Sequence, residues 1–351
     1  MIPSINNGHR LSVHIVAWNS MTFLPSLFST LDEQGIGFRT IVVDNASTDG
    51  VASWLSSERP HVTVLRNMRN SGFARAHNQA IQLALSGWQG MDLSERYILI
   101  CNPDIEMDAN CLQHLVAYMD ANSEIDACTP KLLRAYLRSS DMEHIVTERT
   151  RLIDATGLSI TRSRRTYDRG SGEPDQGQYD MDNKIFGTGG ACACIRASSV
   201  ISAYENNMFF DEDFSSYKED VDVAWRMRRL GMQSAYVPQA VAWHHRSAPS
   251  GSGSWFSSFF KRRKKPLHIN YLSSRNHLWL LVKHLASSDL LIHAPWIIAY
   301  ETAKICAAVF SWSSVRGYVA AFYGLPRMLA KRKELKKRAR LSAREIRSWC
   351  V

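Results

Sequence analysis

Four short apolar runs, at residues 11–18, 40–43, 61–65 and 97–101, are spaced through the first hundred residues with helix-patterned stretches between them. This alternation constrains the chain more than any other feature. Strands that recur with intervening helices align in parallel, and the helices cover both faces of the sheet. The runs read LSVHIVAW, TIVV, HVTVL and YILIC, rich in branched apolar side chains and free of Asp, Glu, Lys and Arg, as strands buried on both faces should be. Between them lie an apolar-periodic helix after Asn19 and Ser20, a helix carrying Val51, Trp54 and Leu55, and a helix over 74–85 opened by Asn70, Ser71 and Gly72. The expected fold is α/β, with a mostly parallel, doubly wound sheet.

Such sheets hold ligands outside the carboxyl ends of their strands. The second run ends at Asp44, and the fourth leads through Asn102 and Pro103 to Asp104. No G-x-G-x-x-G follows the first run and no G-x-x-x-x-G-K-[ST] occurs anywhere, which argues against a dinucleotide cofactor and a P-loop. Phosphates in this crevice need another partner, most simply a metal ion.

Residues 136–184 lose hydrophobic periodicity and gather Gly, Asp, Arg and Ser, which predicts a long loop over the sheet. The segment IFGTGGACACIR, 185–196, predicts a strand after a glycine pair that permits close backbone approach. Residues 209–231 predict an acidic loop running into a helix from about Glu219, with Gly231 as its C-cap. A last strand over 235–244 ends at the pair His244 and His245. The Gly/Ser-rich segment 250–258 predicts the end of a catalytic domain covering 1–258. Residues 259–351 then form an aromatic-rich helical appendage, with helices over 269–285, 290–312 and 315–329.

The net charge of +9 is concentrated in that appendage: KRRKK at 261–265 supplies +5, and 327–347 holds ten Lys/Arg against two Glu. The remainder is net acidic. A charge so localised suits an anionic surface, either lipid headgroups or nucleic acid, and the basic tail lacks a nucleic-acid recognition motif. The uncharged runs 290–300 and 305–315 fall short of the roughly 20 residues that span a bilayer, so the expected mode is interfacial. Seven cysteines without a regular framework suit reduced thiols, and Cys192 with Cys194 is too small a set for zinc. The N-terminus lacks the basic start and apolar core of a secretion signal, so a cytoplasmic protein is expected, peripheral at the membrane.

In order along the chain, VHIVAWNS, VVDNASTDG, NSGFARAHN, LICNPDI, GTGGACACIR, FFDEDFSSYKEDVDVAWRMRRLG, VAWHHRSAPSG and YLSSRNHLWLLVKH resemble the inverting family 2 glycosyltransferases of the GT-A fold. The likeness covers roughly residues 10–285. It is strongest to the rhamnosyltransferase-like bacterial members that build surface polysaccharides. It implies a nucleoside diphosphate sugar donor and a glycan or lipid-linked glycan acceptor. Asp44 then contacts the base, with Asn19 and Asn45 as neighbouring pocket residues, and Arg75 and Asn78 face the diphosphate. The family's Asp-x-Asp motif stands here as Asn102-Pro103-Asp104, so Asp104 is the certain carboxylate for a divalent cation, Mg²⁺ or Mn²⁺, and His244 resembles the supporting metal ligand. Asn102 is left facing the metal, the sugar or neither. By the family's Glu-Asp motif Asp220 is the base, with Glu219 positioning the acceptor or acting in its stead. Asp222, about 200° further round the helix, cannot share Asp220's direction. Ser247 and Ser250 are possible phosphate contacts.

Two other readings stay open at this stage. Nucleotidyl transfer to a sugar phosphate fits the fold, although a Gly-rich, basic N-terminal loop is missing. A noncatalytic nucleic-acid-binding protein would use the basic tail.

Overall fold

The computed structural model describes residues 8–139, 145–245, 266–309 and 311–351. The segments 250–258 and KRRKK, together with Ser247 and Ser250, lie outside the described residues. The chain opens with β1 (Leu11–Ala17), α1 (Leu24–Asp32), β2 (Arg39–Asp44), α2 (Val51–Glu58), β3 (Thr63–Arg66), α3 (Phe73–Gly87) and β4 (Tyr97–Cys101). β1 pairs in parallel with β2 and with β4, and β2 with β3, giving the order β3-β2-β1-β4. All five residues of β4 are buried. Leu99 and Cys101 pack with α1 and with Leu112 and Leu115 on one face, whereas Ile98 and Ile100 pack with α3 and with Val200, Val223 and Met227 on the other. The period-two side-chain alternation of a strand thus joins two helical layers through one sheet.

Beyond β4 the sheet becomes mixed. β5 (Ile105–Met107), α4 (Cys111–Ala121), β6 (Ile125–Ser139), β7 (Ile145–Ala155), a short pair β8 (Leu158–Ile160) and β9 (Thr166–Asp168), then β10 (Cys192–Arg196), α5 (Ala197–Ser202), α6 (Glu219–Arg229) and β11 (Gln233–His245) follow. β10 inserts antiparallel between β4 and β6, and β11 runs parallel to β6 and antiparallel to β5. The loop expected over 136–184 is corrected: its first part is the β6–β7 antiparallel ladder, and β8 with β9 forms a separate two-stranded sheet. Charged residues such as Arg149 and Asp154 mask the pattern of β7: they pair with partners across the sheet, Asp154 buried against Arg134 and Arg149 reaching Glu106 while still partly exposed.

The last part of the described chain is helical: α7 (Leu267–His284), α8 (Ser287–Ile292), α9 (Ala294–Val309), α10 (Trp312–Arg338) and α11 (Ala343–Arg347). The single helix expected over 290–312 is two helices, and α10 continues nine residues past 329 despite Pro326 in its interior. Ser314, Gly317, Ala321 and Gly324 form the buried, small-residue face of α10. A side chain at Gly317 would meet the Tyr271 carbonyl at 2.4 Å, and one at Gly324 would meet the Trp279 ring at 2.5 Å. α7 shares a core with the catalytic layers, since Trp279 and Leu280 cluster with Phe186, Phe214 and Trp225.

Candidate active site

At the end of β2, Asp44 is fully buried; its Oδ1 accepts the Ser47 N–H at 2.8 Å, while Oδ2 has no hydrogen bond and lies 3.5 Å from Arg66 Nε. Oδ2 thus keeps acceptor capacity that no hydrogen bond uses, beside the Arg66 guanidinium. Asn19, in the left-handed region at φ 50°, accepts the Thr48 N–H at 2.9 Å and so fixes the loop after Asp44.

Three further residues expected at the donor have these surroundings. Asn45 gives its Nδ2 to Asn70 Oδ1 at 2.9 Å, and its Oδ1 accepts the Ser71 N–H at 2.9 Å, so this side chain shapes the 67–72 loop. Asn78 clamps Phe210 through both its amide atoms, Nδ2 to the carbonyl and Oδ1 from the N–H, each at 2.9 Å. Arg75 is exposed and stands outside the wall of the cavity described next.

A cavity of about 700 Å³ opens beside the strand ends, lined by Trp18 after β1, Asn102 after β4, Asp154 of β7, Glu219 and Asp220 of α6, and His268 of α7. On its flank, His244 Nε2 lies 3.3 Å from Asp104 Oδ1, and His244 Nδ1 is hydrogen-bonded to Asp154 Oδ2 at 2.8 Å. Burial opposes charge on this imidazole, but the carboxylates of Asp104 and Asp154 outweigh it and raise its pKa to about 9. Asp104 Oδ1 is buried without a hydrogen bond. One carboxylate oxygen and one imidazole nitrogen, the latter oriented by a carboxylate on its other nitrogen, fit a divalent cation with mixed O and N ligands. The neighbouring His245 is structural. Its Nε2 meets Glu106 Oε1 at 2.9 Å, and Glu106 also takes Ser26, Thr147 and Arg149.

The facing wall begins at the N-terminus of α6. Asp220 Oδ2 accepts the Gly190 N–H at 3.0 Å and Oδ1 the Val221 N–H at 2.8 Å, which fixes its carboxylate at the cavity while leaving further lone pairs free. Glu219 is buried, and burial followed by the charge of Asp220 pushes its carboxyl well above the usual range. The glycines of GTGG have a packing reason: a side chain on Gly187 would strike Ala224 Cβ at 2.3 Å, and one on Gly190 would lie 3.2 Å from Asp220 Cβ. Ser215, Tyr217 and Lys218, just before α6, have φ of 63°, 68° and 70°, each costing about 1–2 kcal/mol for a side chain with Cβ.

Asp222 faces the other way. It is buried against Lys283 Nζ and His284 Nε2, each at 2.8 Å, and Trp225 stacks on the His284 ring at 5.2 Å. Glu205, Asp211 and Asp222 form the one carboxylate trio with metal-like spacing among the described residues, but Lys283 Nζ fills it, 2.5 Å from Glu205 and 2.8 Å from Asp211. That trio is an ion-pair network. Asp154, Arg66 and Lys283 were not singled out by the sequence. Asp154 was hidden by the loop assignment of its segment, although Leu152 and Ile153 beside it carry an apolar signal.

Comparisons with known proteins bear on the family and the fold. Residues 12–196 match Glycosyl transferase family 2. The chain is 26% identical over 248 residues to the N-acetylglucosaminyl-diphospho-decaprenol L-rhamnosyltransferase of Mycobacterium tuberculosis, covering 68% of this chain and 76% of that protein. It is 21% identical over 306 residues to the low-salt glycan biosynthesis hexosyltransferase Agl10 of Haloferax volcanii, covering 87% and 84%. Among solved structures, that of GalNAc-T7 with UDP, GalNAc and Mn²⁺ superposes with a TM-score of 0.54 at 13% identity, over 78% of this chain and 47%, about half, of that one. This likeness establishes the GT-A fold with C-terminal helices. With more than half of its length inside the family match, the chain belongs to glycosyl transferase family 2 and transfers a sugar from a nucleotide-sugar donor.

Proposed function

We propose that this enzyme is a metal-assisted, inverting glycosyltransferase that moves a deoxyhexose, rhamnose by similarity to its mycobacterial relative, to a hydroxyl of a lipid-linked glycan. The observation that carries the reading is the one cavity lined by Asp220, Glu219, Asn102 and Asp154, the last bound to His244. Asp104 and His244 would hold the cation, whose charge stabilises the departing diphosphate. Asp44 Oδ2 is the acceptor for a base N–H, and Asn19 keeps its loop in place. In the transfer step the acceptor oxygen attacks the anomeric carbon, the bond to the diphosphate oxygen breaks, and the hydroxyl proton passes to the Asp220 carboxylate. Glu219, buried and inclined to hold its proton, positions the acceptor by donating a hydrogen bond.

The test offers dTDP-, UDP- and GDP-sugars with Mn²⁺ or Mg²⁺ and acceptor mixtures, following nucleoside diphosphate release and the product's anomeric configuration by NMR. Release with inversion supports the reading; silence across the panel, or retention, overturns it.

A lipid-linked acceptor places the enzyme at a membrane surface. Among the described residues no helix is long and apolar enough to cross a membrane. What supports apposition is the outer side of α8, α9 and α10, where Leu291, Ile298, Trp312, Phe322 and Tyr323 are exposed, with Lys333, Lys336 and Lys337 exposed further along α10. Flotation with anionic vesicles, weakened by salt and by Phe322→Ser/Tyr323→Ser, is the expected result. Equal recovery with and without vesicles would remove the membrane from the reading.

A further inference from the structure

The loop at 213–217, immediately before α6, is held by atoms from outside it at every carbonyl. The Asn276 side chain of α7 is fully buried, and its Nδ2 reaches the carbonyl oxygens of Phe214 at 2.9 Å, Ser216 at 3.0 Å and Tyr217 at 2.7 Å. Arg275 Nη2 donates to the carbonyls of Asp213 at 3.0 Å and Phe214 at 3.1 Å, and Arg275 Nε donates to Asn276 Oδ1 at 2.9 Å, which fixes the amide's orientation. The remaining carbonyl, Ser215, accepts the Ala74 N–H of α3 at 2.9 Å. Gly72 allows this contact, because a Cβ there would lie 2.5 Å from Ser215 Oγ.

Two adjacent residues of α7 on one side and the start of α3 on the other therefore enclose a segment with three non-glycine residues at positive φ in or beside it, at 215, 217 and 218. Such a conformation persists only where its surroundings impose it. The next two residues are Glu219 and Asp220. We propose that Arg275 and Asn276 are positioning residues for transfer, setting through the 213–217 backbone the direction in which the first turn of α6 presents Asp220 and Glu219 to the acceptor. This rests on the transfer reading above.

The experiment compares full-length wild type, Asn276→Ala and Arg275→Ala for transfer kinetics, for binding of UDP, GDP and dTDP, and for thermal unfolding. Asn276→Ala lowers kcat about 10²-fold, as a misplacement of about 1 Å does, while the affinity for the nucleoside diphosphate stays within about twofold. Arg275→Ala shifts kcat in the same direction by less. Unchanged kcat in both variants, or nucleotide affinity falling in step with kcat, overturns the inference. If Asn276→Ala does not fold, Arg275→Ala decides on the same readouts. A wild-type chain that binds nucleotide but transfers nothing overturns the transfer reading itself, and this inference with it.

Discussion

Replacing Lys283 by Met is the most demanding test of how the helical region supports the catalytic layers. The ammonium is fully buried and sits 2.5 Å from Glu205, 2.8 Å from Asp211 and 2.8 Å from Asp222. A methionine keeps most of the volume but leaves three carboxylates facing one another without their shared cation. Removing one partner of a buried pair costs about 3–5 kcal/mol. The lower end applies here, because Asp211 keeps Lys331 at 2.5 Å and Asp222 keeps His284 at 2.8 Å.

The loss also has a definite pH dependence. In the wild type, burial works against the charges of Asp211 and Asp222, but the Lys283 charge outweighs it and depresses both carboxyls. Their contribution is therefore present above the ordinary carboxylate range and is lost as pH falls through it. In the variant the same carboxyls repel and rise above their unfolded values, so their cost vanishes on acidification. The difference between the two proteins is accordingly largest near pH 7–8, about 3 kcal/mol, and shrinks towards pH 4. Urea unfolding followed by tryptophan fluorescence at pH 8 and pH 4.5 measures it. A difference below about 1 kcal/mol, or one independent of pH, would refute the reasoning.

Three further outcomes are expected. Asp220→Asn retains nucleotide binding but lowers kcat by about 10²–10⁴-fold, measured as nucleoside diphosphate release; unaltered turnover moves the base elsewhere. Asp154→Ala frees Nδ1 of His244 and raises the Mn²⁺ concentration for half-maximal transfer about 10–100-fold, with no such change if the pair is only structural. His77 has no hydrogen bond at either ring nitrogen, and burial pushes its pKa down from 6.5 to about 3, while burial and the neighbouring His77 lower His14 as well. Both contribute stability above pH 6.5 that falls away by about 1.4 kcal/mol per pH unit for each histidine on acidification, and His77→Phe reduces that slope; an undiminished slope speaks against it.

The parallel half of the sheet was legible because its strands are buried on both faces, which forces continuous apolar runs such as YILIC. The places of Asp44, Asp104, Glu219, Asp220 and His244 at or beside strand ends and a helix start were legible because these stand out as polar breaks in apolar surroundings. The internal partners of Asn45 and Asn78 were not legible, because Asn supplies both a donor and an acceptor and a sequence does not say which neighbours use them. β7 was missed because its charged residues break the apolar pattern, although Asp154 is buried against His244 and Arg149 pairs with the buried Glu106. Asn276 lies inside the motif YLSSRNHLWLLVKH but had no role assigned to it, since its partners are main-chain carbonyls of any sequence.

The part played by α7 in the cavity wall has a practical consequence for dissecting this enzyme. A truncated chain stopping in the Gly/Ser-rich stretch near residue 258 would lack His268 and Leu272 at the cavity and Lys283 behind α6, and would expose Trp225 and Phe214. Such a fragment would lack part of the cavity wall, and grafting the helical region between relatives would exchange that part of the wall along with it.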